Sequence, residues 1–264
     1  MRAHQSTRRH FFLVPDHQRA TLVSLNRDDR ELSILDEIDQ SETTPTVSAV
    51  IPALGHTECL AWVLSRVPRW VSEVVVVSNG LDDLSDLVEE HRPGARVVAQ
   101  SGNGKSNALR CGFHASSGDI IVMLDADGST DPIELPRFVA ALRTGADFAK
   151  GTRCIAGGGS VDLTVNSYGN RALTGLTNRM WGTHFSDVRY SYNAFWRRCL
   201  PQLSPDSYGF GFETVLPLRA LRGGLHVVEV PSFESNPSSG SDGLFGRGDT
   251  MKVLRTIVAE RLRP

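Results

Sequence analysis

The chain has 264 residues, 40% of them hydrophobic, and 28 Lys and Arg against 30 Asp and Glu leave a net charge of -2. That length buries a substantial core in one large domain with appendages. The even charge, with basic residues gathered only between Arg2 and Arg9, excludes a dedicated nucleic-acid binder. No apolar run nears the roughly twenty residues that cross a bilayer, and the short run from Phe11 to Val14 lacks the features of a secretory signal.

In chain order, residues 1–46 are charged and weakly periodic and read as an N-terminal appendage, with a short strand or helix at 22–35. From Val47 the pattern becomes regular. Apolar runs at 47–53, 74–77, 97–99, 120–124 and 148–149 alternate with helical stretches at 58–67, 83–91, 105–116 and 132–143. Such alternation predicts a mainly parallel central sheet flanked by crossover helices, an α/β Rossmann-like architecture. Asp131 is placed to cap the turn that Pro132 opens, with Glu134 near the positive helix end. Gly157, Gly158 and Gly159 mark a flexible loop. Beyond it the spacing predicts a helix at 168–181, a strand at 188–196, a helix at 213–222 and a strand at 225–230. A Ser/Gly-rich loop at 235–248 and a last helix at 250–262 follow. Cys59, Cys111, Cys154 and Cys199 show neither metal-ligand nor redox spacing and are expected as reduced core residues of a cytoplasmic protein.

The run Gly118 to Gly128 delivers two carboxylates at the end of an apolar strand. Ile120 to Leu124 lack polar alternation, as in a strand covered on both faces, and ligands of open parallel sheets sit outside the carboxyl ends of strands. Asp125 and Asp127, two residues apart in extended chain, point the same way and can reach one cation. Hard oxygen donors suit Mg²⁺ or Mn²⁺. The small Ala126 and Gly128 let a phosphorylated ligand approach. The plainer reading makes Asp127 a turn cap.

The ordered set Ile51-Pro52-Ala53, Val77-Ser78-Asn79-Gly80, Gly102-Asn103-Gly104-Lys105, Leu124-Asp125-Ala126-Asp127-Gly128 and Lys150-Gly151-Thr152-Arg153 resembles the GT-A glycosyltransferases of family 2. Its closest likeness is to the dolichyl- or polyprenyl-phosphate mannosyltransferase branch, from Val47 to the C-terminus. The resemblance implies a nucleotide-binding half at about 47–153 and an acceptor half at about 154–264. It implies that Pro52, Ala53 and Asn79 line the base and ribose pocket, that Lys105 and Ala126 lie near the nucleotide, and that Asp125, Asp127 and Ser129 serve the metal. It sets Lys150 and Arg153 toward the diphosphate or an acceptor phosphate. Three departures stand out: Gly55-His56 replaces an Asn-Glu pair, Asn79 replaces a base-reading Asp, and no basic residue falls between Ser235 and Asp242.

The implied reaction is metal-dependent, inverting transfer of a hexose from GDP-mannose or a UDP-hexose to a polyprenyl phosphate or a small soluble acceptor. An alcohol acceptor needs a carboxylate base, whereas a phosphate monoester arrives already ionised. Glu213 and Asp187 are the candidate catalytic carboxylates, and Arg153 assists the leaving group. His56 and His184 are secondary base candidates. For Asp187 a structural partnership with a nearby Arg or backbone amides stands beside the catalytic reading. Tyr190, Tyr192, Trp181 and Trp196 read as core before they read as a sugar platform. The alternatives are a sugar-phosphate nucleotidyltransferase and a catalytically degenerate GT-A binding or scaffold protein. Peripheral membrane contact through the Arg2 to Arg9 cluster, and packing of the appendage or the last helix on a second copy, complete the expected partners.

Overall fold

The computed structural model describes residues 21–22, 44–55, 58–80, 83–161, 168–204, 211–235 and 247–262. Elements in order are β1 (Thr21–Leu22), β2 (Val47–Ala53), α1 (Leu60–Arg66), β3 (Glu73–Ser78), α2 (Ser85–His91), β4 (Arg96–Ala99), α3 (Lys105–Ala115) and β5 (Ile120–Met123). After a 3₁₀ turn at Pro132–Glu134 come α4 (Leu135–Arg143), β6 (Phe148–Thr152), β7 (Gly159–Ser160), α5 (Tyr168–Trp181), β8 (Asn193–Trp196), α6 (Leu200–Leu203), α7 (Phe212–Arg222), β9 (Val227–Pro231), β10 (Phe233–Glu234) and α8 (Arg247–Arg261).

Eight strands form one sheet in the order β1-β9-β6-β8-β5-β2-β3-β4. Every pairing is parallel except those of β8, which runs antiparallel to both β5 and β6. Strands β2 and β5 are buried along their whole length, which explains their continuous apolar sequences. One sheet face packs under α1, α2 and α4 through Leu60, Val63, Val88, Leu135 and Phe138. The other packs under α3, α5, α7 and α8 through Leu109, Phe113, Leu173, Val215, Val253 and Ile257. Strand β8 and the residue before it serve both: Tyr192 stacks on Phe138 with ring centres 4.1 Å apart, while Phe195 faces Phe148 and Phe113.

The expected strand at 188–196 is shorter than its apolar sequence suggests. Residues 188–192 lie outside the strand: the Tyr190 hydroxyl bonds Ser232 and the Ser191 hydroxyl donates to Asp125, while the Tyr192 carbonyl still accepts from the Gly151 amide. Tyr190 and Tyr192 are core residues, and Trp196, paired with Ile120, lies at the sheet edge opposite Asp125. The triple glycine is not a loose loop: Gly159 enters β7, and a Cβ on Gly158 would lie 2.7 Å from the Thr152 carbonyl. Asp131 accepts from the Ile133 amide as expected and also holds Arg66. Glu134 stands in the first turn as expected, and its carboxylate also accepts from the Ser232 hydroxyl and the Phe233 amide. Of the four cysteines only Cys199 is buried, and Cys154 is exposed. Of the expected element at 22–35 only Leu22 is described; the remainder, His56 and the loop at 236–246 lie outside the described residues.

Gly151 sits where β6 meets β8, and a Cβ there would lie 2.7 Å from the Tyr192 carbonyl and 2.9 Å from the Tyr190 ring. Gly151→Ala is expected to lower the unfolding free energy by about 1–3 kcal/mol, the cost of overpacking, read as a fall in the urea midpoint with an unchanged slope.

Candidate active site

The carboxyl ends of β2, β3, β5 and β6 converge on one edge. Leu124 continues β5 through its amide bond to the Val50 carbonyl, and the chain then turns. The Asp125 amide donates to Thr130 Oγ1, the Ser129 amide donates to Asp127 Oδ1, and Gly128 takes φ +80°, a conformation that glycine adopts without strain. This turn fixes both carboxylates just past the strand.

Asp125 lies between two donors. Lys105 Nζ, at the start of α3, is 2.6 Å from Oδ1, and the Ser191 hydroxyl donates to Oδ2. Burial alone would raise the Asp125 carboxyl, but Lys105, Ser191 and Ser129 together hold it below the usual carboxylate range. Lys105 also reaches Glu213 Oε1 at 3.0 Å, so one ammonium joins α3, β5 and α7. Glu213 stands in the first turn of α7, after Gly211 at φ +79°, where the helix dipole favours a negative charge. Asp127 is half-buried, and its one bond to a described residue is from the Ser129 amide.

A second cluster lies at the end of β6. Asp187 is fully buried and receives two hydrogen bonds from Arg153, Nε to Oδ2 at 2.7 Å and Nη2 to Oδ1 at 3.1 Å. Arg153 reaches Glu234 Oε2 at 2.9 Å with its remaining arm and lies over the Tyr190 ring. Burial pushes the Asp187 carboxyl up, yet Arg153 and Lys150 outweigh it and hold the group low. Lys150 is fully buried and donates to the Gly151 carbonyl. Burial depresses its ammonium below the usual lysine value, partly offset by Asp187 and Glu229.

The expected site residues thus fall into two groups. Asp125, Asp127, Ser129, Lys105 and Glu213 meet at the tip of β5. Pro52, Ala53 and Asn79 stand at the ends of the neighbouring β2 and β3, and Ala126 is buried in the turn. Arg153 and Asp187 pair with each other, the structural partnership read for Asp187 from its sequence, while Lys150 is enclosed with them. His184 is exposed. Ser191, Glu229 and Glu234 were not foreseen. Glu229 was signalled by a lone carboxylate among valines in β9, and Ser191 by a small polar residue between two tyrosines.

Carboxylate oxygens such as those of Asp127 suit a hard divalent cation, whereas both oxygens of Asp125 already face donors, Lys105 and Ser191. No group of three His, Cys, Asp or Glu side chains able to hold a metal ion occurs among the described residues. An ion such as Mg²⁺ keeps waters and takes phosphate oxygens in this kind of open carboxylate site.

An open α/β sheet with one antiparallel strand inserted, and paired carboxylates after a central strand, defines the GT-A fold. The chain belongs to glycosyl transferase family 2, whose model matches residues 48–203. It is 31% identical over 233 residues to an undecaprenyl-phosphate mannosyltransferase of Micrococcus luteus, covering 81% of this chain and 95% of that one. To a low-salt glycan biosynthesis hexosyltransferase of Haloferax volcanii it is 31% identical over 228 residues, 83% of this chain. The chain spans 54% of that relative's length, and 66% of a second glycosyltransferase from the same organism. In fold it is similar to glucosyl-3-phosphoglycerate synthase of Mycobacterium tuberculosis, solved with Mn²⁺ and UDP-glucose, at TM-score 0.68 and 22% identity over 93% of this chain and 87% of that one. No helix among the described residues is long and apolar enough to cross a membrane.

Arg153→Met leaves Asp187 buried without its guanidinium. Breaking such a pair costs about 3–5 kcal/mol, measured by urea unfolding at neutral pH. Because the folded Asp187 carboxyl lies below its unfolded value, its contribution is complete above the unfolded pKa and is lost as pH falls through the folded one. The variant is therefore expected to undergo acid unfolding at a higher pH than the parent, followed by circular dichroism.

Proposed function

We propose that the chain is an inverting hexosyltransferase that takes its sugar from GDP-mannose or a UDP-hexose, with Mg²⁺ or Mn²⁺, and delivers it to a phosphate monoester, of which polyprenyl phosphate is the leading example. The observation that carries the acceptor class is that both carboxylates suited to act as base are already engaged by cations: Glu213 by Lys105 and Asp187 by Arg153. Arg153 occupies both oxygens of Asp187 and Lys105 occupies one oxygen of Glu213, so an acceptor hydroxyl would have to compete with a cation for its base. A phosphate monoester needs no base, since its oxygen attacks C1 already ionised while the bond from C1 to the diphosphate breaks. The similarity to an undecaprenyl-phosphate mannosyltransferase supports the same reading.

In this account Asp127, with Asp125 beside it, holds the cation, which when bound neutralises charge growing on the departing diphosphate. Lys105 keeps Asp125 ionised and fixes Glu213 against it. Pro52, Ala53 and Asn79 shape the base and ribose pocket at the tips of β2 and β3. Asn79 offers both a donor and an acceptor where a carboxylate only accepts, so it can meet a base edge that presents either.

A thermal-shift panel of GDP-, UDP- and dTDP-sugars with and without Mn²⁺ tests the donor. A ligand at a hundred times its Kd is expected to add about 2.7 kcal/mol, and Asp127→Ala is expected to abolish the Mn²⁺-dependent part; an unchanged shift in the variant overturns the metal assignment. The acceptor class is tested by Glu213→Gln. Loss of a general base costs about 10²- to 10⁴-fold in rate, so transfer to a polyprenyl phosphate that stays within about tenfold of the parent supports the phosphate acceptor. A larger loss in kcat with an alkaline shift of the pH profile points to an alcohol.

A further inference from the structure

Helices α5 and α8 lie side by side over the second core, with Leu173, Val253 and Ile257 turned inward. Their carboxyl ends are tied: Arg261 Nε donates to the Met180 carbonyl at 3.2 Å and its guanidinium lies over the Trp181 ring. Facing away from the core, Arg171, Arg179, Lys252, Arg255 and Arg261 are all exposed. Leu176, Met251 and Leu262 are interleaved with them and exposed by 41%, 51% and 78%. The sequence of α5 holds no acidic residue. On α8 the one carboxylate among the described side chains, Glu260, is buried and held by Arg219 and Arg222. A chain of net charge -2 therefore presents a basic, partly apolar face with no exposed carboxylate among the described side chains of its two helices.

We propose that this α5/α8 face docks on an anionic lipid bilayer. Basic residues near such a surface each add to binding through its negative potential, and apolar side chains between them enter the headgroup boundary. A nucleic-acid backbone would satisfy the cations but leave Leu176, Met251 and Leu262 in water, so the mixed character favours lipid. The orientation suits a lipid-borne acceptor. A Cβ on Gly211, just before α7, would lie 3.3 Å from Val253, and Glu260 meets Arg219 and Arg222 toward the other end of α7. Helices α7 and α8 thus run in the same direction, and the start of α8 lies at the end of the molecule where Glu213 stands. The purpose of the face rests on the proposed lipid acceptor, but the docking itself is separable from it.

The test is co-sedimentation of the full chain with vesicles of phosphatidylcholine alone, or mixed with phosphatidylglycerol, all free of polyprenol. Binding is expected only to the anionic vesicles and is expected to weaken at about 0.5 M salt, where charges are screened within a few ångströms. The triple variant Arg171→Ala, Arg179→Ala, Arg255→Ala is expected to bind about a hundredfold more weakly, at roughly fivefold per charge, with thermal unfolding unchanged. Leu176→Ser with Met251→Ser keeps the charges and is expected to weaken vesicle binding while leaving any duplex-DNA binding as it was. Absence of binding to anionic vesicles, equal binding to neutral ones, parental binding by the triple variant, or duplex DNA bound as tightly as anionic vesicles each overturns the proposal. Transfer to a soluble short-chain polyprenyl phosphate in detergent reports on the acceptor reading independently, so either can fail alone.

Discussion

A carboxylate taken out of water costs several kcal/mol unless an opposite charge and hydrogen bonds replace its hydration, and this requirement organises the working edge of the sheet. Lys105 spans Asp125 and Glu213, while Arg153 spans Asp187 and Glu234. Lys150 lies beneath, depressed by its burial and facing Asp187 and Glu229. Each cation thereby steadies two acids from different elements. Asp127, half-buried in the turn, has no cationic partner among the described residues. The edge is closed where the chain neutralises itself and electrostatically open at Asp127, the position the proposed function gives to a metal ion.

The fold gives that pattern its geometry through one unusual strand. β8 enters antiparallel between β5 and β6, so Asn193 stands opposite Met123 on one side and Lys150 on the other. The residues just before it are carried directly beneath Asp125. Ser191 is there because of that register, and its hydroxyl gives Asp125 a neutral donor to complement the charged one. On the opposite sheet face Tyr190 and Tyr192 fill the space beneath α4, which explains why aromatic residues concentrated beside an active edge contribute packing and not a sugar platform.

Much of this was legible in the sequence, for reasons that differ by element. The parallel strands and their crossover helices follow from hydrophobic periodicity, and β2 spans the very residues its apolar run marks. The turn after β5 was legible because buried strands end in functional polar residues. The extent of β8 was not, since an apolar run marks burial and does not show where backbone pairing begins. Nor could spacing show that Arg153 is held on both sides: Glu234 lies far along the chain, and its nearness depends on β7 and β10 forming their small ribbon. The burial of Lys150 was hidden because its motif neighbours suggest a phosphate, whereas its register opposite Asn193 and Glu229 is a property of the finished sheet.

The inserted strand also constrains how such a chain comes into being. A protein made from its amino end could assemble β2, β3, β4 and β5 as a parallel sheet while the rest is still being synthesised. The exposed flank of β5, however, is completed only by residues 193–196, and β6 reaches the sheet only through that same strand. Between the emergence of Met123 and that of Trp196, a buried-type apolar edge has no native neighbour, and such edges are templates for wrong pairing. The strand that brings Ser191 to the catalytic edge is thus also the one whose late arrival leaves the growing chain most exposed to aggregation, and recombination that exchanged only the part beyond β6 would have to replace the middle of the sheet as well.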